Sequence, residues 1–256
     1  MNTEITSKEN PLYKEFKKTS TEKNDYLFIE GKKLFSEAYK SKLKIENVMI
    51  SEHNMGFLSD FNLKDSTITL MTNDLIASLF STERKPDNDD LIICLAKAPI
   101  WKLNDLFYNK KPVLFLDRIQ DPGNLGTIVR SSLAFEAGGI LLSSNSAYPF
   151  STKVIRASAG AVFSLPLVFV EKNEQLKQIS KEFSYKLIAM VKGSSQVLEK
   201  NKSKKSSIFL FGNEGNGLSK DILDLADESI TIPQSDKVES LNLATSASIV
   251  LWNNYG

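Results

Sequence analysis

The chain has 256 residues, of which 41% are hydrophobic and 25% are charged, and its formal net charge is only +1. This composition is ordinary for a globular protein, and no apolar run approaches the roughly 20 residues that a membrane-spanning helix needs. The first residues also lack the apolar segment of a signal peptide, so we expect a cytoplasmic protein that does not enter the membrane.

Cysteine and histidine are too scarce to build the usual metal centres. The only cysteine, Cys94, lies in the apolar run LIICLA, and the only histidine, His53, follows an expected strand. One cysteine excludes an intramolecular disulfide and a CxxC metal site, and one histidine excludes a His-rich site. We therefore predict no metal, and we interpret Cys94 as a buried hydrophobic residue.

The first hundred residues are predicted to form a small α/β domain. The apolar spacing predicts helices at 10–23, 31–42 and 73–80 and strands at 47–51, 66–72 and 91–97. Lysines cluster in the first 44 residues and again near residue 200, although the chain as a whole has no basic excess of the kind that a dedicated nucleic-acid binder carries.

From residue 112 onward, continuous apolar runs alternate with helical segments. Strands are predicted at 112–117, 138–144, 163–170, 185–191, 206–212 and 228–233. Such alternation is typical of a parallel sheet that helices cover on both faces. Ligands of these sheets bind beyond the carboxyl ends of the strands. We therefore expect the functional site in the loops 117–126, 212–219 and 233–241.

The first of these loops leads into a helix predicted at 124–137. It carries Asn124, Gly126 and, further along, Arg130, but neither a P-loop pattern nor a GxGxxG pattern. We interpret Gly126 as the residue that lets the chain turn tightly between the two polar side chains. A junction of strand, loop and helix often holds a phosphate or nucleotide, but Asn124, Gly126 and Arg130 belong to neither of these two patterns.

The other two loops differ from each other in character. The second holds Gly212, Gly215 and Gly217 around Glu214, whose charge would repel a pyrophosphate and suits a neutral or cationic ligand. In the third, Ser240 is interpreted as a helix N-cap that could also face the site. The small residues 244–248 of the last helix predict close packing against another backbone.

Three stretches in these loops resemble the signature motifs of the SpoU/TrmH family of RNA 2′-O-ribose methyltransferases, in the SPOUT class. They are NLGTIVR after Asp-Pro-Gly, FGNEGNGLS, and IPQSDKVESLNLATSAS, and the similarity covers about residues 112–256. The segment IRASAGAVFSLPLV (155–168) resembles the same family. The first hundred residues more loosely resemble the L30e-like substrate-binding domain of related rRNA methyltransferases.

The resemblance implies an α/β architecture with two domains. Residues 1–104 would form the N-terminal L30e-like RNA substrate-binding domain. Residues 105–256 would form the SpoU-type catalytic domain, a parallel sheet whose C-terminal segment is threaded as a trefoil knot. Patterning alone could not indicate a knot, because ordinary topology rules argue against one.

The resemblance also implies S-adenosylmethionine as the cofactor and a set of site residues. The cofactor-binding residues would be Gly212, Gly217, Ile232, Pro233 and Leu241, and the catalytic residues would be Asn124, Arg130, Glu214, Ser240 and Asn242. The reaction is attack of a ribose 2′-hydroxyl on the methyl carbon. Two roles of Arg130 stay open, a general base and a positioner of phosphate and developing alkoxide, because a guanidinium is essentially always protonated.

The partner that the resemblance implies is RNA, with rRNA favoured over tRNA because of the separate N-terminal domain. It also implies a homodimer through the knotted domain, with the last helix in the interface. Two alternatives stay open: a tRNA 2′-O-methyltransferase of the same fold, and a catalytically silent RNA-binding dimer.

Overall fold

The computed structural model describes residues 4–19, 25–81, 86–199 and 206–255. The chain divides into two compact units, Met1–Pro99 with Phe150–Phe163, and Ile100–Pro149 with Ser164–Gly256. The boundary predicted at residue 104 stays a prediction, while the segment Phe150–Phe163 groups with the N-terminal unit despite its place in the sequence. None of the helices in the described ranges has the length and apolar character to cross a membrane.

The first unit is built on a four-stranded mixed sheet. Its elements before residue 99 are α1 (Pro11–Thr19), β1 (Tyr26–Glu30), α2 (Lys32–Lys40), β2 (Ile45–Ile50), a 3-10 segment (Glu52–Asp60), β3 (Thr67–Leu70), α3 (Asn73–Leu79), a 3-10 turn (Asn88–Asp90) and β4 (Ile92–Lys97). The strand order is β1-β4-β2-β3, with β4 antiparallel to both neighbours and β2 parallel to β3. The predicted α/β character is confirmed.

Two of the finer expectations for this unit can be compared directly. The helix predicted at 10–23 begins at Pro11 and ends at Thr19, and residues 20–23 of that prediction lie outside the described residues. Cys94 is fully buried in β4, and burial raises the pKa of its thiol, which keeps the sulfur uncharged. It therefore packs as the hydrophobic residue that the sequence indicates.

A buried ion pair ties β1 to the segment Phe150–Phe163. The Glu30 side chain is only 3% exposed and lies 3.5 Å from Nη1 of Arg156, which is 30% exposed. The other oxygen of Glu30 accepts a hydrogen bond from the Ser81 amide at 2.7 Å. A buried carboxylate is costly without a partner. The attachment of the segment Phe150–Phe163 to β1 therefore depends on the positive charge of Arg156.

Replacing Glu30 with glutamine should therefore destabilise the fold. The variant keeps an oxygen for the Ser81 amide but leaves Arg156 without its counter-charge. We expect the free energy of unfolding to fall by about 2 kcal/mol, less than the ~3–5 kcal/mol of a fully buried pair, because Arg156 is partly solvated. Denaturant unfolding measures the change. The control Glu9→Gln removes an exposed partner of Lys14 and should leave the midpoint unchanged; equal midpoints in both variants would contradict the prediction.

The second unit contains an all-parallel, seven-stranded sheet. Its elements are α4 (Leu103–Phe107), β5 (Val113–Leu116), α5 (Pro122–Ala134), β6 (Gly139–Ser143), β7 (Leu167–Val170), α7 (Gln175–Phe183), β8 (Lys186–Met190), β9 (Gln196–Val197), β10 (Ser207–Phe211), α8 (Lys220–Leu225), β11 (Glu228–Thr231) and α9 (Leu243–Asn254). Between β6 and β7 the chain forms α6 (Thr152–Ala157) and a 3-10 turn (Ala161–Phe163), which belong to the first unit. The order is β7-β6-β5-β10-β8-β11-β9. The predicted parallel sheet is confirmed, and the short edge strand β9 is an addition.

The strand order explains why the functional loops meet. β10 is inserted between β5 and β8, and every pairing in this sheet is parallel. The carboxyl ends of β5, β10, β8 and β11 therefore lie along one edge. After β11 the chain runs through residues 232–242 into α9, which packs against α5. The three predicted loops consequently converge although about 90 residues separate the first from the second.

Candidate active site

A cleft of about 830 Å³ opens at the carboxyl ends of β8, β10 and β11. Its lining includes all the sequence-predicted site residues except Arg130 and Pro233, namely Asn124, Gly212, Glu214, Gly217, Ile232, Ser240, Leu241 and Asn242. The volume is within the range of roughly 300–1,000 Å³ that is usual for small-molecule sites. The structure therefore brings most of the predicted residues to one place.

The helix α5 starts earlier than the sequence indicates. Asp121 is its N-cap and accepts a hydrogen bond from the Asn124 amide at 2.6 Å, and Pro122 occupies the first helical position, where its missing N–H costs nothing. Asn124 and Gly126 thus both lie inside the helix. The prediction that Gly126 makes a tight turn is wrong, because Gly126 is a buried residue of the helical core face.

The loop after β10 closes on itself through its glycines. A Cβ on Gly212 would lie 2.0 Å from the carbonyl carbon of Gly217, so only glycine fits at the first position. Gly217 has a φ of +65°, and its N–H and C=O are both bonded to Asn213. The Asn213 side chain accepts from the Gly215 amide at 2.9 Å. The loop is held in one conformation from within.

Three polar side chains from the three loops form a continuous chain of hydrogen bonds. Asn124 donates from Nδ2 to Glu214 Oε1 at 3.2 Å. Asn242 donates from Nδ2 to Asn124 Oδ1 at 3.0 Å. Asn124 is thus the central member, and its amide orientation is set by a carboxylate that can only accept. This chain fixes the three loops relative to one another across the cleft.

The N-cap of α9 is Asn242 and not Ser240. The Asn242 Oδ1 accepts from the amides of Ala244 at 2.9 Å and Thr245 at 3.2 Å. The prediction of Ser240 as the cap is therefore wrong, although Ser240 does line the cleft. The side-chain oxygen of Asn242 thus caps α9, while its side-chain nitrogen donates to Asn124. One side chain therefore begins α9 and links it to the start of α5.

The two candidate caps give different expectations for stability. Asn242→Ala should lower the free energy of unfolding by about 1 kcal/mol, because two amides of the first turn lose their acceptor. Ser240→Ala serves as the matched control and should change it by less than about 0.5 kcal/mol. Denaturant unfolding of both variants measures the difference. A larger loss in Ser240→Ala than in Asn242→Ala would contradict the assignment of the cap.

Arg130 stands apart from the cleft within this chain. It is exposed on α5, does not line the cleft, and makes no hydrogen bond or ion pair with any part of the chain that the structure describes. Six residues along a helix turn the side chain by about 240° and advance it by about 9 Å from Asn124. Pro233 likewise does not line the cleft, whereas its neighbour Gln234 does.

Several lining residues escaped the sequence analysis. Met190 ends β8, and Val191 and Lys192 follow it. Lys192 donates a hydrogen bond to the backbone oxygen of Glu239, which also lines the cleft. The available signal was the apolar run that ends at residue 191. These residues reach the cleft because β8 lies next to β10, and the order of the strands along the chain does not indicate this pairing.

The small residues of α9 pack within the chain. Ala244 and Ala247 are buried in the chain itself, and Ser131 of α5 is hydrogen-bonded to Ser248 of α9 at 2.8 Å. The predicted close packing is confirmed, with α5 as the neighbouring element. Bulky substitutions at Ala244 or Ala247 would therefore disturb this chain's own core.

The chemistry of the cleft suits a cationic ligand with an apolar ring. Glu214 and Glu239 line it, and among the described residues of the lining the only cation is Lys192, whose ammonium donates to a backbone oxygen. Met190, Val191 and Leu241 supply apolar surface. Among the residues that the structure describes, no group of three or more ligating side chains could hold a metal ion. These features match a nucleoside with a positive centre and no phosphate.

Comparisons with known proteins agree with this site. The model of the SpoU rRNA Methylase family matches residues 111–252, more than half of the chain. An uncharacterized tRNA/rRNA methyltransferase of Synechocystis is 30% identical, with 97% of this chain and 92% of the relative covered. The 23S rRNA (guanosine(2553)-2′-O)-methyltransferase of Bacillus subtilis is 26% identical, with 99% of each covered. An AdoMet-bound rRNA methyltransferase from Sinorhizobium meliloti superposes with a TM-score of 0.84 at 26% identity, covering 98% of this chain and 97% of that one.

Proposed function

Since the chain belongs to the SpoU rRNA methylase family, we propose that it transfers a methyl group from S-adenosylmethionine to a ribose 2′-hydroxyl of rRNA. The family match confirms the resemblance of the three motifs. The structural match confirms the fold class, a knotted parallel-sheet methyltransferase domain with a further α/β unit. The observation that carries the proposal is the cleft in which the three loops meet, with Asn124 hydrogen-bonded to both Glu214 and Asn242.

The cleft provides for each part of the proposed cofactor. Gly212, Ile232 and Leu241 line the region that we assign to the adenosine, and the carboxylates of Glu214 and Glu239 are complementary to a positive sulfur. When bound, the cofactor supplies a methyl group on a sulfonium, which is a good leaving group. The chain therefore does not need to activate the methyl donor, and its residues serve to orient both reactants.

The harder task lies with the 2′-hydroxyl: its oxygen must bond to the methyl carbon as the carbon–sulfur bond breaks, and its proton must pass to water. We assign Arg130 to the phosphate and the developing alkoxide, because its guanidinium is exposed and makes no bond with any described residue of its own chain. Asn124, held by Glu214 and Asn242, fixes the first turns of α5, the helix that carries Arg130. Ser240 lies in the lining beside Asn242 and is assigned to the ribose. The proposed setting is the cytoplasm, where rRNA is available.

Two measurements test this function. Calorimetry with S-adenosylhomocysteine should give one site per chain, with an affinity that a chelator leaves unchanged. Ribose methylation should then be mapped in rRNA and tRNA from cells with and without the gene. Loss of one 2′-O-methyl group in rRNA supports the proposal; a loss confined to tRNA selects the tRNA alternative, and no loss in either RNA refutes the activity.

We also propose that the chain works as a homodimer through the outer face of α5 and α9. Leu133 of α5, Trp252 of α9 and Tyr255, which follows α9, are exposed, and Trp252 is 60% exposed. Large exposed aromatic residues grouped on packed helices are a frequent feature of interface centres. A second copy placed on this face would cover them.

The dimer can be tested with one charge. Trp252→Glu should convert the protein to a monomer in sedimentation at micromolar concentration, because burial of a carboxylate in an apolar interface is costly. Tyr108→Glu is the matched control, an 85% exposed aromatic outside α5 and α9, and should leave the mass unchanged. A wild-type protein that sediments as a monomer would refute the dimer.

A further inference from the structure

A second cleft lies along the same edge of the sheet. It has a volume of about 300 Å³ and is lined by residues at or just after the carboxyl ends of β5, β6 and β7, together with Ser219 and Asp221. The loop from Gly212 to Ser219 separates the two clefts, since its first residues line the larger one and its last residue lines the smaller one. The smaller cleft thus lies beside the methyl-transfer site but has no residue in common with it.

The position of Arg118 at this cleft is fixed from several directions. Its Nε and Nη2 donate to the two carboxylate oxygens of Asp117, at 3.0 and 2.9 Å, and Asp117 is only 3% exposed. Its backbone N–H donates to Ser143 Oγ at 2.7 Å, and its carbonyl accepts from Asn213 Nδ2 at 2.9 Å. The Arg118 side chain remains 38% exposed. A planar cation is therefore held rigidly with part of its surface open to a ligand.

The rest of the lining offers hydrogen-bonding groups that are not used within the chain. The side chains of Glu171, Asp221, Asn145 and Asn173 line the cleft and make no hydrogen bond or ion pair with any described residue. The hydroxyl of Ser219 is buried and has no partner either. Because a buried polar atom without a partner is costly, the Ser219 hydroxyl points to a ligand or water at this place.

The balance of charge restricts what that ligand can be. Asp117 is neutralised by Arg118, whereas Glu171 and Asp221 leave the cleft with a negative excess, which repels a phosphate. The acidic residues do not form a metal site among the parts of the chain that are described. A flat ligand with hydrogen-bond donors on its edge satisfies both the arginine plane and the carboxylates.

We propose that this second cleft binds an unstacked guanine base of the substrate RNA, next to the methylated nucleotide, with Arg118 stacked on the base and Glu171 accepting from its Watson–Crick edge. This inference rests on the proposed RNA methyltransferase function. Guanine presents adjacent N1–H and N2–H donors, which one carboxylate accepts together, whereas uracil offers one donor between two acceptors. Bases extruded from RNA are commonly stacked on arginine planes and recognised through this edge.

The test uses single-stranded RNA pentamers UUNUU, with N as each of the four bases, and saturating S-adenosylhomocysteine. Fluorescence anisotropy at low salt should show the G pentamer binding roughly tenfold tighter than the others, in line with the discrimination of one bidentate contact. Glu171→Gln should remove this preference. Arg118→Lys should weaken all four pentamers alike, because an ammonium keeps the charge but not the plane.

The matched control is Glu174→Gln, an exposed glutamate outside the cleft, which should keep the preference for guanine. Calorimetry with S-adenosylhomocysteine on every variant separates the two levels of the argument. A wild-type protein that binds S-adenosylhomocysteine but shows no preference among the pentamers, or a Glu171→Gln variant that keeps the preference, overturns this inference alone. A wild-type protein that does not bind S-adenosylhomocysteine overturns the proposed function.

Discussion

Replacing Gly212 with alanine should abolish the binding of S-adenosylhomocysteine and lower the free energy of unfolding by about 3 kcal/mol or more. The added Cβ would lie 2.0 Å from Gly217 C and 2.1 Å from Leu218 N, and backbone cannot rotate away as a flexible side chain can. Overpacking typically costs ~1–3 kcal/mol, and a clash with two backbone atoms belongs at the upper end. The loop that must move carries Glu214 and lines the cleft.

The same loop supplies its own controls. A Cβ on Gly215 would meet only Asn213 Oδ1, at an ordinary 3.6 Å, so Gly215→Ala should bind and unfold like the wild type. Gly217→Ala has open space but a φ of +65°, so it should lose about 1 kcal/mol and keep its binding. Calorimetry and denaturant unfolding measure the series. If Gly212→Ala matches Gly215→Ala in both, the closure of this loop does not determine the cleft.

The sequence indicates the central strands β5, β6 and β10 because each is a continuous apolar run buried on both faces. The same property explains what it misses. Residues 185–191 and 206–212 are both short apolar runs, and no local feature of either run determines which of them pairs with β5. The pairing is decided by contacts between distant parts of the chain. Consequently, the sequence does not identify Met190 at the end of β8, or Lys192 just after it, as part of the site.

Local signals also fail where two residues are equally suited to one role. Serine and asparagine are comparable N-caps, and both occur in the stretch Ser240-Leu241-Asn242. The start of α9 is decided by its packing on α5 and by the bond from Asn242 to Asn124, and neither can be read from that stretch. Glu30 and Arg156 illustrate the same limit, because 126 residues separate a pair that meets in one unit.

Arg130→Lys should lower the rate of methyl transfer by roughly a hundredfold to a thousandfold while leaving S-adenosylhomocysteine binding unchanged. An ammonium cannot reproduce the planar fork that binds a phosphate with two parallel hydrogen bonds. Loss of one such contact to developing negative charge costs about 3–4 kcal/mol in the transition state. Cofactor binding should persist because Arg130 does not line the cleft.

Because of its position, Arg130 can be replaced without a change in the stability of this chain. Its side chain is exposed and is not bonded to any described residue, so its replacement removes nothing that the fold of this chain uses. Unfolding should therefore be the same in Arg130→Lys, Arg130→Ala and the wild type. Lys181→Ala, which removes an exposed cation from α7, is the control for a general loss of positive charge and should methylate normally.

The experiment has three possible outcomes, and each leads to a different conclusion about Arg130. A large loss of rate with normal cofactor affinity and only slightly weaker RNA binding identifies a group that acts on the ribose and its phosphate, since one phosphate contact among several contributes little to affinity. Near-normal methylation by Arg130→Ala would remove the residue from the catalytic set. Loss of S-adenosylhomocysteine binding would instead mean that Arg130 supports the cofactor cleft from outside its lining, as it would if the two copies of a dimer complete each other's site.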